Sequence, residues 1–144
     1  MLLRSNVRVW HYSWEKRKGI YQWGHNLVTL VGKTLVAEII EDSTPPAVPS
    51  HIAIGSDATV AAEAHVALQG TEHQRQVATV SRVDNEVTYT AIFTAGPAET
   101  LAVGEIGIFN AAAAGVMLAR FVPNPFTMDP NDVVTVDWGL QFGD

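Results

Sequence analysis

The sequence predicts a mainly β protein, with a β-sandwich or barrel-like body, one short α-helix and an extended N-terminal arm. Six segments after residue 50 are short and rich in apolar residues, and several alternate apolar and polar positions, which is typical of strands. One earlier stretch has apolar residues at helical spacing instead. Short strands at close spacing after a single helix favour a layered β architecture.

The first predicted strand is Val7–Ser13, near the N-terminus. Arg8, Trp10 and Tyr12 occupy alternate positions in it, so they are expected to face away from the apolar side. The polar stretch Lys16–Gly19 is expected to end this strand.

The helix is predicted from Thr29 to about Asp42. Val31, Leu35 and Ile39 are four residues apart and would share one face. Gly32 argues against the helix, since glycine in a helix interior is destabilising.

The body is predicted to follow a proline-rich connector, Ser43–Ser50, because proline cannot donate the backbone hydrogen bonds of a helix or a central strand. The strands predicted after it are His51–Gly55, Gln74–Val83, Glu86–Thr94, Val103–Phe109, Val116–Val122 and Val133–Phe142. Asp84 and Asn85 fit a two-residue hairpin turn. Val133–Phe142 has the clearest alternation.

The chain has 144 residues, which suits one domain with a core of its own, and it has no cysteine, which excludes disulfides and thiolate chemistry. No apolar run reaches the roughly 20 residues of a membrane span, so we expect a soluble protein made without secretion. We expect an arm of residues 1–24, removable without unfolding, and a β-rich body of residues 25–144.

Aromatic and basic residues are concentrated in the arm. Residues 1–18 carry five positive charges and one negative, and residues 19–144 carry four positive and fourteen negative, so +4 and −10 give the net charge of −6. Such a strip is costly to leave in water and is expected to bind a partner. The predicted partner-binding residues are Arg8, Trp10, Tyr12, Trp14, Lys16, Arg17, Lys18, Tyr21 and Trp23.

No catalytic, metal or cofactor site is predicted. Gly32-Lys33-Thr34 lacks the earlier glycine of a phosphate-binding loop, and Gly55-Ser56-Asp57 lacks the second glycine of a nucleophile elbow. No two histidines are three or four residues apart. The Asp129–Asp132 segment lacks the glycine and glutamate of a calcium loop and is expected to be a solvated turn.

Three segments resemble a family of small structural proteins of tailed bacteriophages. The segments are HNLVTLVGKTLVAEII (25–40), SHIAIGSDATVAA (50–62) and EIGIFNAAAAGVMLARF (105–121). Ile-Gly-Ile-Phe-Asn at 106–110 stands where the family tends to have Ala-Gly-Leu-Phe-Asn. The resemblance covers roughly residues 25–142 and leaves out the arm.

The resemblance implies a virion component, assembled in the host cytoplasm, rather than an enzyme. We expect a capsid decoration or cement protein on the outer capsid surface, bound to the major capsid protein and to neighbouring copies of itself, as a homo-oligomer such as a dimer or trimer. Direct binding of nucleic acid is not expected, because positive charge is confined to the arm, and membrane binding is not expected either.

Two alternatives stay open at this point. A tail, baseplate or short-fibre adaptor protein would use the same arm residues, although a fibre subunit would be expected to continue into a shaft after Phe142. A carbohydrate-binding module would use aromatics of the body, such as Tyr89 or Trp138.

Overall fold

The computed structural model describes residues 3–41 and 43–143. Within them the chain forms twelve β-strands and one α-helix. In chain order they are β1 (Leu3–Ser13), β2 (Lys18–His25), β3 (Leu27–Val28), α1 (Leu30–Glu41), β4 (His51–Gly55), β5 (Glu72–Val77), β6 (Thr79–Val83), β7 (Glu86–Thr94), β8 (Leu101–Val103), β9 (Glu105–Phe109), β10 (Met117–Phe121), β11 (Phe126–Met128) and β12 (Val133–Phe142). The predicted mainly β, sandwich-like class with one helix is confirmed.

The strands form two five-stranded sheets and one two-stranded sheet. Sheet A has the order β2-β1-β12-β7-β6, sheet B has the order β3-β10-β9-β4-β5, and β8 pairs with β11. All pairings are antiparallel. Consecutive β5 and β6 lie in different sheets, so the chain passes from one layer to the other around Ala78.

The core lies between sheets A and B. Sheet A contributes inward-facing residues such as Phe93, Val136 and Trp138, and sheet B contributes Ile52 and Ile108, all fully buried. The burial of β12 alternates along its length, as its sequence predicts. In β9 and β10 every residue is buried, because both faces of sheet B are covered there.

The helix α1 packs on β10 and begins at a polar cap. Thr29 Oγ1 accepts a hydrogen bond from the amide of Gly32 at 2.9 Å and donates to the carbonyl of Met117 at 2.7 Å. A Cβ on Gly32 would collide with the carbonyl of Leu118. The glycine that argued against the helix therefore permits its close approach to sheet B.

The extended arm predicted for residues 1–24 lies within sheet A over its described part, which is a correction. Residues 3–13 form β1, which pairs with β12 on one side and with β2 on the other. Val7 and Val9 are fully buried in the core. The boundary predicted between residues 24 and 25 lies inside β2. The sequence analysis missed this strand because its apolar residues do not alternate with polar ones.

Other predicted bounds are close to the observed ones. The strands at 51–55, 86–94 and 133–142 match, and Asp84, with φ of 49°, lies in the expected hairpin turn. The strand predicted over 74–83 is divided into β5 and β6. The helix ends at Glu41, and Asp42 lies outside the described residues.

Candidate docking surface

The predicted partner-binding residues lie on one hairpin, formed by β1, the turn at 14–17 and β2. Register places Trp10 opposite Tyr21 and Arg8 opposite Trp23. Because alternate residues of a strand face opposite ways, these four side chains share the outer face of sheet A, while Val9 faces the core. We call this outer face of β1 and β2 the aromatic face.

The aromatic face leaves large apolar groups in water. Trp10 is 48% exposed, Tyr21 51% and Trp23 64%. The rings of Trp10 and Tyr21 have centroids 6.2 Å apart, a distance at which aromatic pairs attract. Trp10 also lies across Gly19, where a Cβ would collide with its indole, so one face of that ring is packed on the strand.

The turn and its flanks, residues 14–18, carry four more of the predicted residues, and we call this segment the hairpin tip. Trp14 is 50% exposed, and the guanidinium of Arg17 lies 4.6 Å from its ring centroid, in a cation–π contact. Lys16 and Lys18 are exposed. Tyr12 alone among the nine predicted residues is half-buried.

The basic side chains of the hairpin form no ion pair, whereas those of the remaining described residues are bound to carboxylate or carbonyl groups. Lys33, Arg75 and Arg120 each form an ion pair with a glutamate, at 2.6, 2.7 and 2.8 Å, and Arg82 donates to the carbonyl of Asp84. Within residues 3–41 and 43–143, the hairpin's cations form no ion pair; these are Arg4, Arg8, Lys16, Arg17 and Lys18. The hairpin therefore presents positive charge that a partner can neutralise.

A buried carboxylate fixes the hairpin tip to the body. Asp132 Oδ1 accepts the amide of Trp14 at 2.9 Å, and Oδ2 accepts the amide of Asp129 at 2.9 Å and lies 2.8 Å from His11 Nε2. The ring of His11 stacks on Phe126 with centroids 5.0 Å apart. Asp132 is fully buried, so the turn predicted to be solvated is instead an anchor.

The anchor predicts a pH dependence. Burial raises the pKa of Asp132, but hydrogen bonds from His11, Trp14 and Asp129 outweigh it and hold the pKa below its ordinary 3.8. A lowered folded-state pKa stabilises the fold above the unfolded pKa, and that stability is lost as pH falls through the folded value. Asp132→Asn should lower the free energy of unfolding by about 3 kcal/mol at pH 7, since charged buried hydrogen bonds contribute about 1.5–3 kcal/mol each.

Urea denaturation of the two proteins at pH 7 and pH 2.5 checks this expectation. The difference between them should shrink below about pH 3.8 as the wild-type carboxylate is protonated. A difference that is the same at both pH values would contradict a role for the charge of Asp132.

Three residues of the surface were missed by sequence reasoning. Ile92 is 58% exposed. It lies opposite Thr135, which lies opposite Trp10 on the next strand of sheet A. His25 meets the ring of Trp23 edge-on at 5.8 Å. Asp137, opposite Arg8, accepts a hydrogen bond from Thr90 at 2.7 Å. The outward position of Ile92 in β7 was a usable signal, because its neighbours Ala91 and Phe93 are inward.

A second cluster of charged groups, which the sequence did not predict, is internal. Glu105 and Arg120 are both fully buried and form an ion pair at 2.8 Å. Glu105 also accepts the amides of Gln69 and Gly70 at 2.8 Å each, and Arg120 donates to the carbonyl of Thr59 at 2.6 Å. The cluster holds the 56–71 loop on the outer side of sheet B.

The cluster joins the second and third of the segments quoted above, 50–62 and 105–121. Arg120 lies in the third segment with Glu105, and its partners Asp57 and Thr59 lie in the second. Thr29 of the first segment caps α1. These residues therefore have structural roles in this chain.

Neither a metal-holding group of side chains nor a membrane-spanning helix is found among the described residues. Among residues 3–41 and 43–143, no three His, Asp or Glu side chains are grouped to hold a metal ion, and no helix there has the length and hydropathy to cross a membrane. Ser56 accepts the amide of Thr71 at 3.0 Å, as a residue of a polar turn does. The exposed aromatic and basic surface is the arrangement that can bind a partner.

Comparison of the chain with protein-family models, with curated proteins and with solved structures finds no match.

Proposed function

We propose that this chain is a structural attachment protein of a bacteriophage particle, a capsid decoration protein that docks through its aromatic face and hairpin tip. The observation that carries the proposal is four exposed aromatic side chains beside unpaired cations on one hairpin. The resemblance of residues 25–40, 50–62 and 105–121 to phage structural proteins supports the particle as the setting.

The aromatic face suits docking because its backbone is already ordered. β1 is held between two neighbours, so binding a shell would require ordering of side chains and little ordering of the chain. Fully buried aromatic side chains contribute about 1.5–3 kcal/mol each, and repetition over a symmetric shell would multiply the effect. A protein spanning the junction between shell subunits would raise the free energy needed to separate them.

Removing two aromatic anchors should abolish association with particles. Tyr21→Ala with Trp23→Ala removes side chains that are 51% and 64% exposed, so stability should change little. Affinity should fall at least about a hundredfold, from two lost burials. Co-sedimentation of the purified protein with undecorated particles measures this loss.

Val60→Ala is the matched control, because Val60 is 82% exposed and lies outside sheet A. Normal sedimentation of the aromatic variant would exclude the aromatic face as the docking surface. Counting copies per particle with a specific antibody tests the location: hundreds over the head support decoration, and a dozen or fewer at the tail support the adaptor function instead.

Carbohydrate binding is a second candidate, because Trp10, Tyr21 and Trp23 lie together on an ordered sheet face where a saccharide can stack. The body aromatics that we expected to serve it are wrong for this role, since Trp138 is fully buried and Tyr89 is 7% exposed. Glycan-array binding that is lost in the Tyr21→Ala, Trp23→Ala variant would favour this function over decoration.

A further inference from the structure

Sheet A ends in an open edge at β6. This strand pairs with β7 on one side and has no strand on the other among residues 3–41 and 43–143. All five of its residues are exposed. No backbone hydrogen bond joins residues 79–83 to a described residue outside β7. A strand with one unpaired side presents a row of N–H and C=O groups to which another strand can bond.

β6 lacks the features that usually prevent an edge strand from pairing with another chain, such as lysine, proline or a bulge. Its sequence, TVSRV, has neither residue, and it pairs with β7 without a register shift. Its one charged side chain, Arg82, donates to the carbonyl of Asp84 at 2.7 Å. At the opposite edge of sheet A, β2 begins with Lys18, and the side chain of Gln22 is bonded to the backbone of Asn124 at 2.9 and 3.1 Å. Of these two edges, β6 is the one open to pairing.

The hairpin of β6 and β7 determines which backbone groups reach the open edge. Its turn has two residues, so Val83 and Glu86 exchange backbone hydrogen bonds across it. Because hydrogen-bonded pairs alternate along an antiparallel ladder, Ser81 bonds to β7 in the same way. The N–H and C=O groups of Val80 and Arg82 therefore point away from β7, into the open edge.

These outward groups match those of a second β6 in antiparallel orientation. A twofold axis at Ser81 would place Val80 of each copy opposite Arg82 of the other. Each of the two Val80–Arg82 pairs would exchange two hydrogen bonds, so the contact would gain about four. Thr79 would lie opposite Val83, and no like charges would lie directly opposite each other, which would destabilise the pairing. The edge of β6 is thus complementary to itself.

Exposed aliphatic side chains lie along the same edge. Val80 is 51% exposed and Val83 is 72% exposed. Val77, which ends β5 just before the chain passes into sheet A, is 70% exposed. Pairing at β6 would remove part of this apolar surface from water, which favours association.

We propose that this chain forms a twofold-symmetric dimer, in which β6 of one copy pairs antiparallel with β6 of the other about Ser81. The two five-stranded copies of sheet A then form one continuous sheet. Because both copies contribute the same surface, the contact is isologous and closes at two copies. No open β6 edge remains for a third copy.

The dimer places its two aromatic faces on the same side. The twofold axis is perpendicular to the continuous sheet, so the outer faces of the two copies point in one direction. Each aromatic face lies on β1 and β2, at the edge opposite β6. Two docking surfaces on one side can engage a single large partner together, which raises the apparent affinity. The inference goes beyond the proposed function, because the β6 edges pair whatever the aromatic face binds.

Cysteine cross-linking tests the register, since the chain has no cysteine of its own. In Ser81→Cys the two thiols lie in a non-hydrogen-bonded pair with Cα atoms about 4.5 Å apart, within the range of a disulfide. In the control, Val83→Cys, the exposed thiols are four residues out of register, about 14 Å apart along the strands and beyond that range. Brief oxidation and non-reducing electrophoresis should give a dimer band for Ser81→Cys only.

Sedimentation velocity measures the association of chains without cysteine. The wild type should sediment at twice the 15.6 kDa mass of the monomer. Val80→Pro removes an outward N–H and is compatible with an edge strand. It should weaken the dimer at least about tenfold, because one hydrogen bond is lost in each half of the contact. Val80→Thr keeps the N–H and is the matched control, and circular dichroism verifies that each variant folds.

A monomeric wild type at millimolar concentration would overturn the proposal. So would equal cross-linking at positions 81 and 83, or a dimer that Val80→Pro leaves as strong as Val80→Thr does. These outcomes are separable from failure of the proposed function. The Tyr21→Ala, Trp23→Ala variant should still dimerise while losing particle binding, and Val80→Pro should bind particles as a monomer, more weakly than the wild type.

Discussion

Deletion of residues 1–24 should leave a chain that does not fold. The deletion removes β1, whose Val7 and Val9 are fully buried, and exposes the core along β12. It also removes Ser5, whose hydroxyl accepts a hydrogen bond from the indole of Trp138 at 2.8 Å. Ten residue pairs of β1 with β12 are lost with it. With about ten hydrogen bonds at about 0.5–1.5 kcal/mol each and two valine burials at about 1.5–3 each, the loss of about 8–21 kcal/mol is as large as a typical stability of about 5–15 kcal/mol or larger.

Circular dichroism and size-exclusion chromatography of the truncated chain measure this outcome, which we expect to be aggregated or unfolded protein. Aggregation is expected because β12 would become a long, exposed edge strand. The control is the full chain with Trp10→Ala, Tyr21→Ala and Trp23→Ala, which keeps the strands and should fold. A truncated chain that is soluble and unfolds cooperatively would show that the segment is a separable arm.

Arg120→Met should destabilise the protein by about 3–5 kcal/mol, because it leaves the charge of Glu105 buried without its partner. It also removes the donor to the carbonyl of Thr59, which helps to hold the 56–71 loop. At about 2–4 °C per kcal/mol for a chain of this size, the melting temperature should fall by about 10 °C. Thermal unfolding followed by circular dichroism measures the change.

Lys33→Met provides the comparison, since it also removes the positive partner of an ion pair with a glutamate. Lys33 and Glu63 have side chains that are 52% and 48% exposed, so the loss should be under about 1 kcal/mol. Equal effects of the two substitutions would mean that burial does not determine the strength of the Glu105–Arg120 pair.

The sequence predicts strands whose apolar residues alternate or form a short run, such as β12, β7 and β4, and it fails at β2, whose apolar residues do neither. All three of those strands were predicted to the residue. β2 was missed because it is an edge strand whose Ile20 faces inward yet is 61% exposed. The pairing of β1 with β12 is a contact between the two ends of the chain, and no local pattern specifies it.

The sequence predicts which residues form the candidate docking surface. It does not predict the sheet and the hydrogen bonds that hold these residues in place. The clustering of tryptophan and basic residues identified the side chains, and eight of the nine are exposed. It did not show that they lie on an ordered sheet face, nor that Asp132 anchors the tip from 118 residues away in sequence.

The alternation of β1 separates two kinds of evolutionary change along a single strand. Inward positions such as Val7 and Val9 are constrained by the core, whereas outward positions such as Arg8 and Trp10 are exposed. Substitutions at outward positions can therefore alter partner specificity without eroding stability. A lineage carrying this fold could therefore change the surface that it presents by mutating every second residue of one hairpin.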